Sequence, residues 1–218
     1  MHLPKKRTLV SAAFLAAAIG ALFAVWRLRT VPLRTYSDAD FGIRTYVSAA
    51  DRDGDGVDDQ RDILESVRAY LATKPAYRSR YYSGGWPSDG CGVCTDVVAW
   101  GLLGAGYDLR ELVDADIRSD KAAYGAQIVD KDIDYRRVRN LNIYLSRNAR
   151  ALTTDLSQIG EWQGGDIVVF EGHIGVVSDR RNRHGVPLLL HHGSSLQLSY
   201  EEDVLERRDD LVAHYRVG

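Results

Sequence analysis

Hydrophobic positions along this chain follow a helical period first and a strand period later. Apolar side chains between residues 62 and 71 recur every three or four residues and predict a helix. Residues 95–103 form an apolar segment that predicts a buried helix, which ends at Gly104 and Gly106. Spacing of the same kind predicts a further helix that begins at residue 138.

β-branched and alternating segments dominate the chain after residue 165. A turn over residues 180–186, with Asn182 and Gly185, separates two of the segments. Helices that precede strands in this way favour an α+β domain with an antiparallel sheet of about five strands. The predicted strands cover residues 167–170, 173–178, 187–192, 196–200 and 211–217.

An uncharged run of residues 8–26 lies between two basic clusters near the start of the chain. Its length suits a helix that crosses a bilayer. We favour an uncleaved anchor, because no small-residue cleavage site closes the run, and a cleaved signal peptide is the alternative. The basic residues before the run favour an N-terminus inside and a domain outside the cytoplasm. We therefore divide the chain into an anchor or signal segment (1–30), a linker (31–50) and a domain (51–218).

Charge and composition narrow the classes of function. The chain has 28 Lys and Arg against 30 Asp and Glu, and its net charge is -2, so we expect no nucleic-acid partner. Hydrophobic residues make up 45% of the sequence, enough for a substantial core. Two cysteines exclude a disulfide-rich scaffold.

The segment DRDGDGVDDQRD, residues 51–62, matches the twelve-residue loop of EF-hand calcium sites. Gly56 falls at the sixth position, where the loop turns sharply, and aspartate takes the place of the usual glutamate at the twelfth. We predict a lone structural Ca²⁺ site rather than a solvated acidic linker. Its predicted ligands are Asp51, Asp53, Asp55, the carbonyl of Val57, Asp59 and Asp62.

Cys94 and His173 are the candidate nucleophile and base. Cys94 opens the predicted apolar helix, and the N-terminus of a helix lowers the pKa of a thiol. An antiparallel hairpin centred near residue 182 brings His191 and His192 beside His173. A polar partner there would fix the tautomer of His173, and strand alternation allows one of the two to share its face.

The order of these motifs resembles a known superfamily. The segments GVCTDVV, DIDYRRVRNL, HIGVVSDRRNRHGVP and AHYRV resemble the YijF-like bacterial family of unknown function, within the NlpC-like superfamily of papain-fold cell-wall cysteine peptidases. The resemblance implies a papain-like fold and an amidase or peptidase that cleaves peptidoglycan peptides through an acyl-enzyme. It assigns Cys94, His173 and His191 as the catalytic residues, with His192 as an alternative third member.

Three alternatives stay open. Cys91 and Cys94 form a C-x-x-C pair, which predicts either a thiol–disulfide oxidoreductase or a reversible disulfide that regulates the nucleophile. The two cysteines with His173 and His191 also provide a ligand set of the zinc type, although their spacing is unusual for structural zinc. Lastly, the same fold could serve as a wall-binding module without catalysis.

Overall fold

The computed structural model describes residues 30–218 together with Gly20. Most of the predicted membrane anchor, residues 1–30, therefore lies outside the described residues. Within the part that is described, no helix is both long and apolar enough to span a bilayer.

Five α-helices form the first layer of the described chain. They are α1 (Asp59–Ala72), α2 (Cys94–Gly104), α3 (Leu109–Ser119), α4 (Lys121–Tyr124) and α5 (Val138–Asn148). The predicted helices correspond to α1, α2 and α5, whereas α3 and α4 were not predicted. Four short 3-10 segments lie at Asp38–Phe41, Asp134–Arg136, Ile159–Glu161 and Leu205–Arg207.

An antiparallel sheet of six strands forms the second layer between residues 150 and 216. Its order is β3-β8-β4-β5-β6-β7, so β8 lies between β3 and β4. The strands are β3 (Arg150–Ala151), β4 (Ile167–Phe170), β5 (His173–Arg181), β6 (Pro187–Leu190), β7 (Glu201–Glu202) and β8 (Leu211–Arg216). A separate parallel pair joins β1 (Ala76–Tyr77) to β2 (Cys91–Gly92).

The α+β class and the antiparallel sheet are confirmed, but the strands differ from the prediction in several places. β5 continues to Arg181, into the predicted turn, and β6 ends at Leu190, two residues earlier than predicted. Residues 196–200, predicted as a strand, form a loop, because a turn in which the N–H of Gln197 donates to the carbonyl of Ser194 bends the chain there. The strand that pairs with β6 begins only at Glu201. The edge strand β3 was not predicted, and it has only two residues.

The core lies between α1, α2 and the inner face of the sheet. Val97, Val98 and Leu102 of α2 are fully or almost fully buried, together with apolar residues of the neighbouring strands. Gly101 permits the close approach of α1, since a Cβ there would lie 2.4 Å from Cγ2 of Val67. This packing fixes α2, and with it Cys94, against β5.

Residues 31–50, which we predicted as a linker, pack against the sheet instead of forming a free spacer. Tyr36 exchanges two backbone hydrogen bonds with Arg181, at 2.9 and 2.7 Å. The guanidinium of Arg181 also bonds to the buried carboxylate of Asp38 at 2.5 Å. Gln163 accepts a hydrogen bond from the N–H of Tyr46 at 2.9 Å. The domain therefore begins before residue 51.

A buried carboxylate joins the helical layer to the sheet. Asp166 is fully buried and accepts hydrogen bonds from Gln60 of α1 at 2.7 Å and from the backbone N–H of Gln163 at 2.8 Å. His214 and Arg216 of β8 also bond to it, at 2.9 and 2.7 Å. His214 therefore belongs to a structural network.

Candidate active site

Cys94 is the first residue of α2, as the sequence predicted. The preceding strand β2 and the extended backbone of Val93 deliver the chain to the helix start. The N–H of Val93 donates to Oδ2 of Asp96 at 2.8 Å, which closes the first turn. A carboxylate at this position also stabilises the N-terminus of the helix.

Asp96 is also held by a buried arginine. Nε of Arg136 donates to Oδ1 of Asp96 at 2.7 Å, and Nη2 donates to Oδ2 at 2.9 Å. The two side chains are 2% and 1% exposed. Nη1 of Arg136 donates to the carbonyl of Arg80 at 2.6 Å, which ties the loop before β2 to the same point. The start of α2 is thereby fixed from two directions.

His173 begins β5 at the end of a tight hairpin. Phe170 and His173 pair across the turn, in which Gly172 has a φ of 76°. Val176 pairs with Leu190 in β6, so His191 follows β6 as a diagonal neighbour of His173. Nε2 of His173 lies 2.9 Å from Nδ1 of His191. The structure therefore brings together the two histidines that the hairpin argument placed side by side.

The thiol of Cys94 lies against the first residues of β5. The backbone N–H groups of Ile174 and Thr95 are directed at the sulfur and lower its pKa, but burial is the larger effect, so the thiol pKa lies above its usual value. We had expected the helix start to lower it. The difference arises because burial disfavours the charged thiolate more than the N–H groups stabilise it. Within residues 30–218 no hydrogen bond joins the sulfur to the ring of His173.

Burial has the opposite effect on His173. Burial is the largest cause, the charges of His191 and Arg208 add to it, and together they lower the pKa of the imidazole to about 3. At neutral pH the resting site thus contains a neutral thiol and a neutral imidazole. Nε2 of His173 is bound to His191, which leaves Nδ1 as the nitrogen without a hydrogen bond among the described residues.

Glu202 lies behind His191 and was not predicted from the sequence. Its Oε2 is 3.3 Å from Nε2 of His191, and its Oε1 accepts a hydrogen bond from the hydroxyl of Thr30 at 2.9 Å. The carboxylate is largely buried. Glu202 belongs to a strand of two residues after an irregular loop, so no periodicity in the sequence marked it.

The remaining histidines lie elsewhere. His192, the alternative third residue, packs between the rings of Tyr77 and Tyr200, each with its centroid 5.1 Å away, and makes no hydrogen bond with His173. Alternation along the strand places it on the other face from His191, so its assignment as the third member is not supported. His184 lies in the exposed turn, beside Glu206.

Cys91 is buried in β2, and both cysteines are free thiols. The Sγ of Cys91 contacts the carbonyl of Asp89 at 3.9 Å. A cavity of about 590 Å³ is lined by Cys91, Tyr70 and Trp100. No group of cysteine and histidine ligands close enough to hold zinc occurs among the described residues.

Three of the predicted calcium ligands in the acidic loop lie close enough together to hold one metal ion. Carboxylate oxygens of Asp51, Asp53 and Asp55 lie within 4.8 Å of one another. The carboxylate of Asp51 accepts three backbone N–H bonds that shape the turn, including one from Gly56, whose φ is 91°.

Two other predicted ligands stand apart from this cluster. Asp59 is fully buried and accepts hydrogen bonds from the N–H of Arg52 and the hydroxyl of Tyr107, so its predicted place in the ligand set is not supported. Oδ2 of Asp62 is buried and has no hydrogen-bond partner among the described residues. Burial and the neighbouring aspartates raise the pKa of Asp62 to about 6.

Fold and site together define an α+β protein with a half-buried cysteine at a helix start, packed against the antiparallel strand that begins at His173, and with His173 bonded to His191. Residues 64–217 match the model of a family described as "Domain of unknown function (DUF1287)". The chain belongs to this family.

One relative is an uncharacterized protein YijF of Escherichia coli (strain K12). It is 37% identical over 162 residues, which cover 70% of this chain and 77% of the relative. The resemblance to the YijF-like family is thereby confirmed. No solved structure matches the chain.

Proposed function

We propose that this protein is a cysteine amidase or peptidase of the NlpC-like, papain-fold type. The observation that carries the proposal is the position of the Cys94 sulfur, which lies against the backbone N–H of Ile174, the residue after His173, together with the bond between His173 and His191. A thiol nucleophile, a base and a group that orients the base are the parts that acyl transfer requires.

In the proposed reaction the sulfur of Cys94 attacks the carbonyl carbon of an amide. The thiol proton passes to Nδ1 of His173, and the same proton then goes to the departing amine as the C–N bond breaks. Water next attacks the thioester and gives a proton to His173. His173 passes this proton to the sulfur as the C–S bond breaks, which releases a carboxylic acid and restores the free thiol. Backbone N–H groups at the start of α2 would stabilise the oxyanion.

The two pKa shifts bear on the timing of this reaction. Both groups are neutral at rest, because burial raises the pKa of the Cys94 thiol and lowers that of His173. Proton transfer would therefore accompany attack and not precede it. The thiolate that forms would stabilise the imidazolium beside it, as oppositely charged neighbours do.

The proposed substrate is an amide bond in a peptidoglycan peptide. The resemblance of the sequence motifs, in their order along the chain, to the NlpC-like superfamily supports this class. The run of residues 8–26 supports a membrane anchor with the domain outside the cytoplasm, where this substrate lies. A secreted form is the alternative if the segment is cleaved.

Digestion of purified peptidoglycan, read by mass spectrometry, tests the function. We expect new peptide fragments with wild type and with Cys91→Ala, and none with Cys94→Ala or His173→Ala. His184→Ala is the matched control, since His184 lies in the exposed turn. Equal fragments with wild type and Cys94→Ala would refute the nucleophile. The oxidoreductase would be favoured if wild type catalyses thiol–disulfide exchange without cleaving peptidoglycan, and if Cys91→Ala loses that exchange activity.

We further propose that the loop at residues 51–62 holds one structural Ca²⁺. Asp51, Asp53 and Asp55 would provide oxygen ligands, and Asp62 would complete the set by moving its unpaired carboxylate oxygen to the ion. The specific observation in favour is Asp62, a buried acid beside other acids, and burial and these neighbours raise its pKa to about 6.

Thermal unfolding with EDTA or with Ca²⁺ tests this site. At a hundredfold excess over the dissociation constant, Ca²⁺ should raise the melting temperature of wild type by roughly 5–10 °C. Asp62→Asn should gain less from Ca²⁺, and in EDTA it should be at least as stable as wild type. Glu65→Gln, which removes an exposed charge from the same helix, should behave like wild type. An equal response of Asp62→Asn would remove Asp62 from the site.

A further inference from the structure

The contacts behind His173 continue beyond His191 to a buried acid. Oε2 of Glu202 is 3.3 Å from Nε2 of His191, whose Nδ1 is 2.9 Å from Nε2 of His173. The hydroxyl of Thr30 donates to the other oxygen of Glu202 at 2.9 Å and holds the carboxylate in place. The three side chains thus form a row that ends at the proposed base.

The tautomers along this row follow from the acceptor at its end. An ionised carboxylate can only accept hydrogen bonds, so Nε2 of His191 must carry the hydrogen that faces Glu202. A neutral His191 then has a lone pair on Nδ1. His173 must donate to that lone pair from its own Nε2, and its Nδ1 is left with a lone pair.

We propose that Glu202 is a positioning residue that sets the tautomers of both histidines and so leaves Nδ1 of His173 as a free base. This inference rests on the proposed function for its catalytic meaning, but the tautomers themselves do not depend on the substrate. The carboxylate of Glu202, which His191 separates from the proposed base, would then act by orienting the two histidines and not by contacting the substrate.

Gln197 competes with Glu202 for the same nitrogen of His191. Nε2 of Gln197 lies 3.2 Å from Nε2 of His191. An amide NH₂ can only donate, so Gln197 alone would favour a lone pair on that nitrogen and the opposite tautomer of both rings. Gln197 has another acceptor at the same distance, the carbonyl of His191, and its oxygen accepts from the N–H of Gly193 at 2.6 Å. The charge of Glu202 makes it the stronger partner for His191.

The variant Glu202→Gln should favour the opposite tautomers of the two histidines, because its amide can donate to Nε2 of His191 as Gln197 does. Nitrogen-15 spectra of the histidine rings in the full-length protein at pH 8 distinguish the two tautomers. In wild type we expect His173 and His191 to carry hydrogen on Nε2. In Glu202→Gln we expect His191 to change to the Nδ1–H form, and the rate of alkylation of Cys94 to fall by about tenfold or more, as loss of the correct tautomer does at other catalytic histidines.

Glu206→Gln is the matched control, since it removes a carboxylate 3.1 Å from the exposed His184 and leaves the row intact. Hydrogen on Nδ1 of His191 in wild type would overturn the inference, and this measurement needs no folded variant. Unchanged tautomers in Glu202→Gln would overturn it as well. If the tautomers change in Glu202→Gln but wild type does not cleave peptidoglycan, the inference about the tautomers stands and the proposed amidase activity is wrong.

Discussion

The buried ion pair between Arg136 and Asp96 provides a quantitative prediction, because it fixes the helix start that bears Cys94. The side chains are 2% and 1% exposed, so water can replace neither partner. Arg136→Met leaves the carboxylate of Asp96 buried without its counter-charge. Such a loss costs roughly 3–5 kcal/mol of unfolding free energy. For a domain of this size it lowers the melting temperature by roughly 6–20 °C.

A double-mutant cycle separates the charge from the packing. Asp96→Asn/Arg136→Met removes both charges and keeps an oxygen for the N–H of Val93. The double variant loses mainly the hydrogen bond to the carbonyl of Arg80, so we expect a cost of about 1–2 kcal/mol. The coupling energy between the two sites should then be at least about 3 kcal/mol.

Urea unfolding, monitored by tryptophan fluorescence, measures the free energy of unfolding of each variant. Trp86 and Trp100 report on the surrounding packing. Arg61→Met is the control, because the pair of Arg61 with Glu65 is exposed to water and should contribute little to stability. A cost below about 1 kcal/mol for Arg136→Met, or a double variant less stable than both single variants, would refute the reasoning.

Three further predictions concern the site and the core. Between pH 7 and pH 4.5 the free energy of unfolding should fall by roughly 2–3 kcal/mol more for wild type than for His173→Gln. The reason is that His173 has a pKa near 3 in the folded protein and so does not take the proton that it takes near pH 6.5 in the unfolded chain. Urea unfolding at both pH values tests this. Cys94 should show no thiolate absorbance at pH 7 when wild type is compared with Cys94→Ser, and a clear thiolate signal there would contradict the raised pKa. Gly101→Ala should cost roughly 1–3 kcal/mol through its clash with Val67, whereas Gly160→Ala, with open space around it, should be nearly neutral by the same assay.

Periodicity predicted the parts of the fold whose side chains are buried on one continuous face. The strand over residues 167–170 was predicted at its observed bounds, because all its side chains are buried and β-branched residues dominate it. The helix α2 was predicted to within a residue at each end, since its apolar run begins just after Cys94 and ends at glycine. The helix α3 was missed, although Leu109, Val113 and Ile117 recur at helical spacing and are buried.

The candidate site was predicted where a hairpin fixes which residues face each other. The turn near residue 182 predicted that His191 and His192 would come beside His173, the resemblance selected His191, and the structure joins His191 to His173. Glu202 could not be found in this way, because its strand has two residues and the preceding loop leaves the register open. The raised pKa of Cys94 was also beyond the sequence, since burial depends on how β5 packs over the helix start.

The position of β8 has a consequence for how the molecule is assembled. This strand is the last of the sheet in sequence, yet it fills the gap between β3 and β4. Two of its side chains, His214 and Arg216, also bond to the central buried acid, Asp166, and the guanidinium of Arg216 supplies a positive charge there. A nascent chain without these residues would have two unpaired strand edges and an uncompensated charge in its centre. Cooperative folding must therefore wait until synthesis has passed residue 216, and shortening the chain before that point should leave it open to proteolysis.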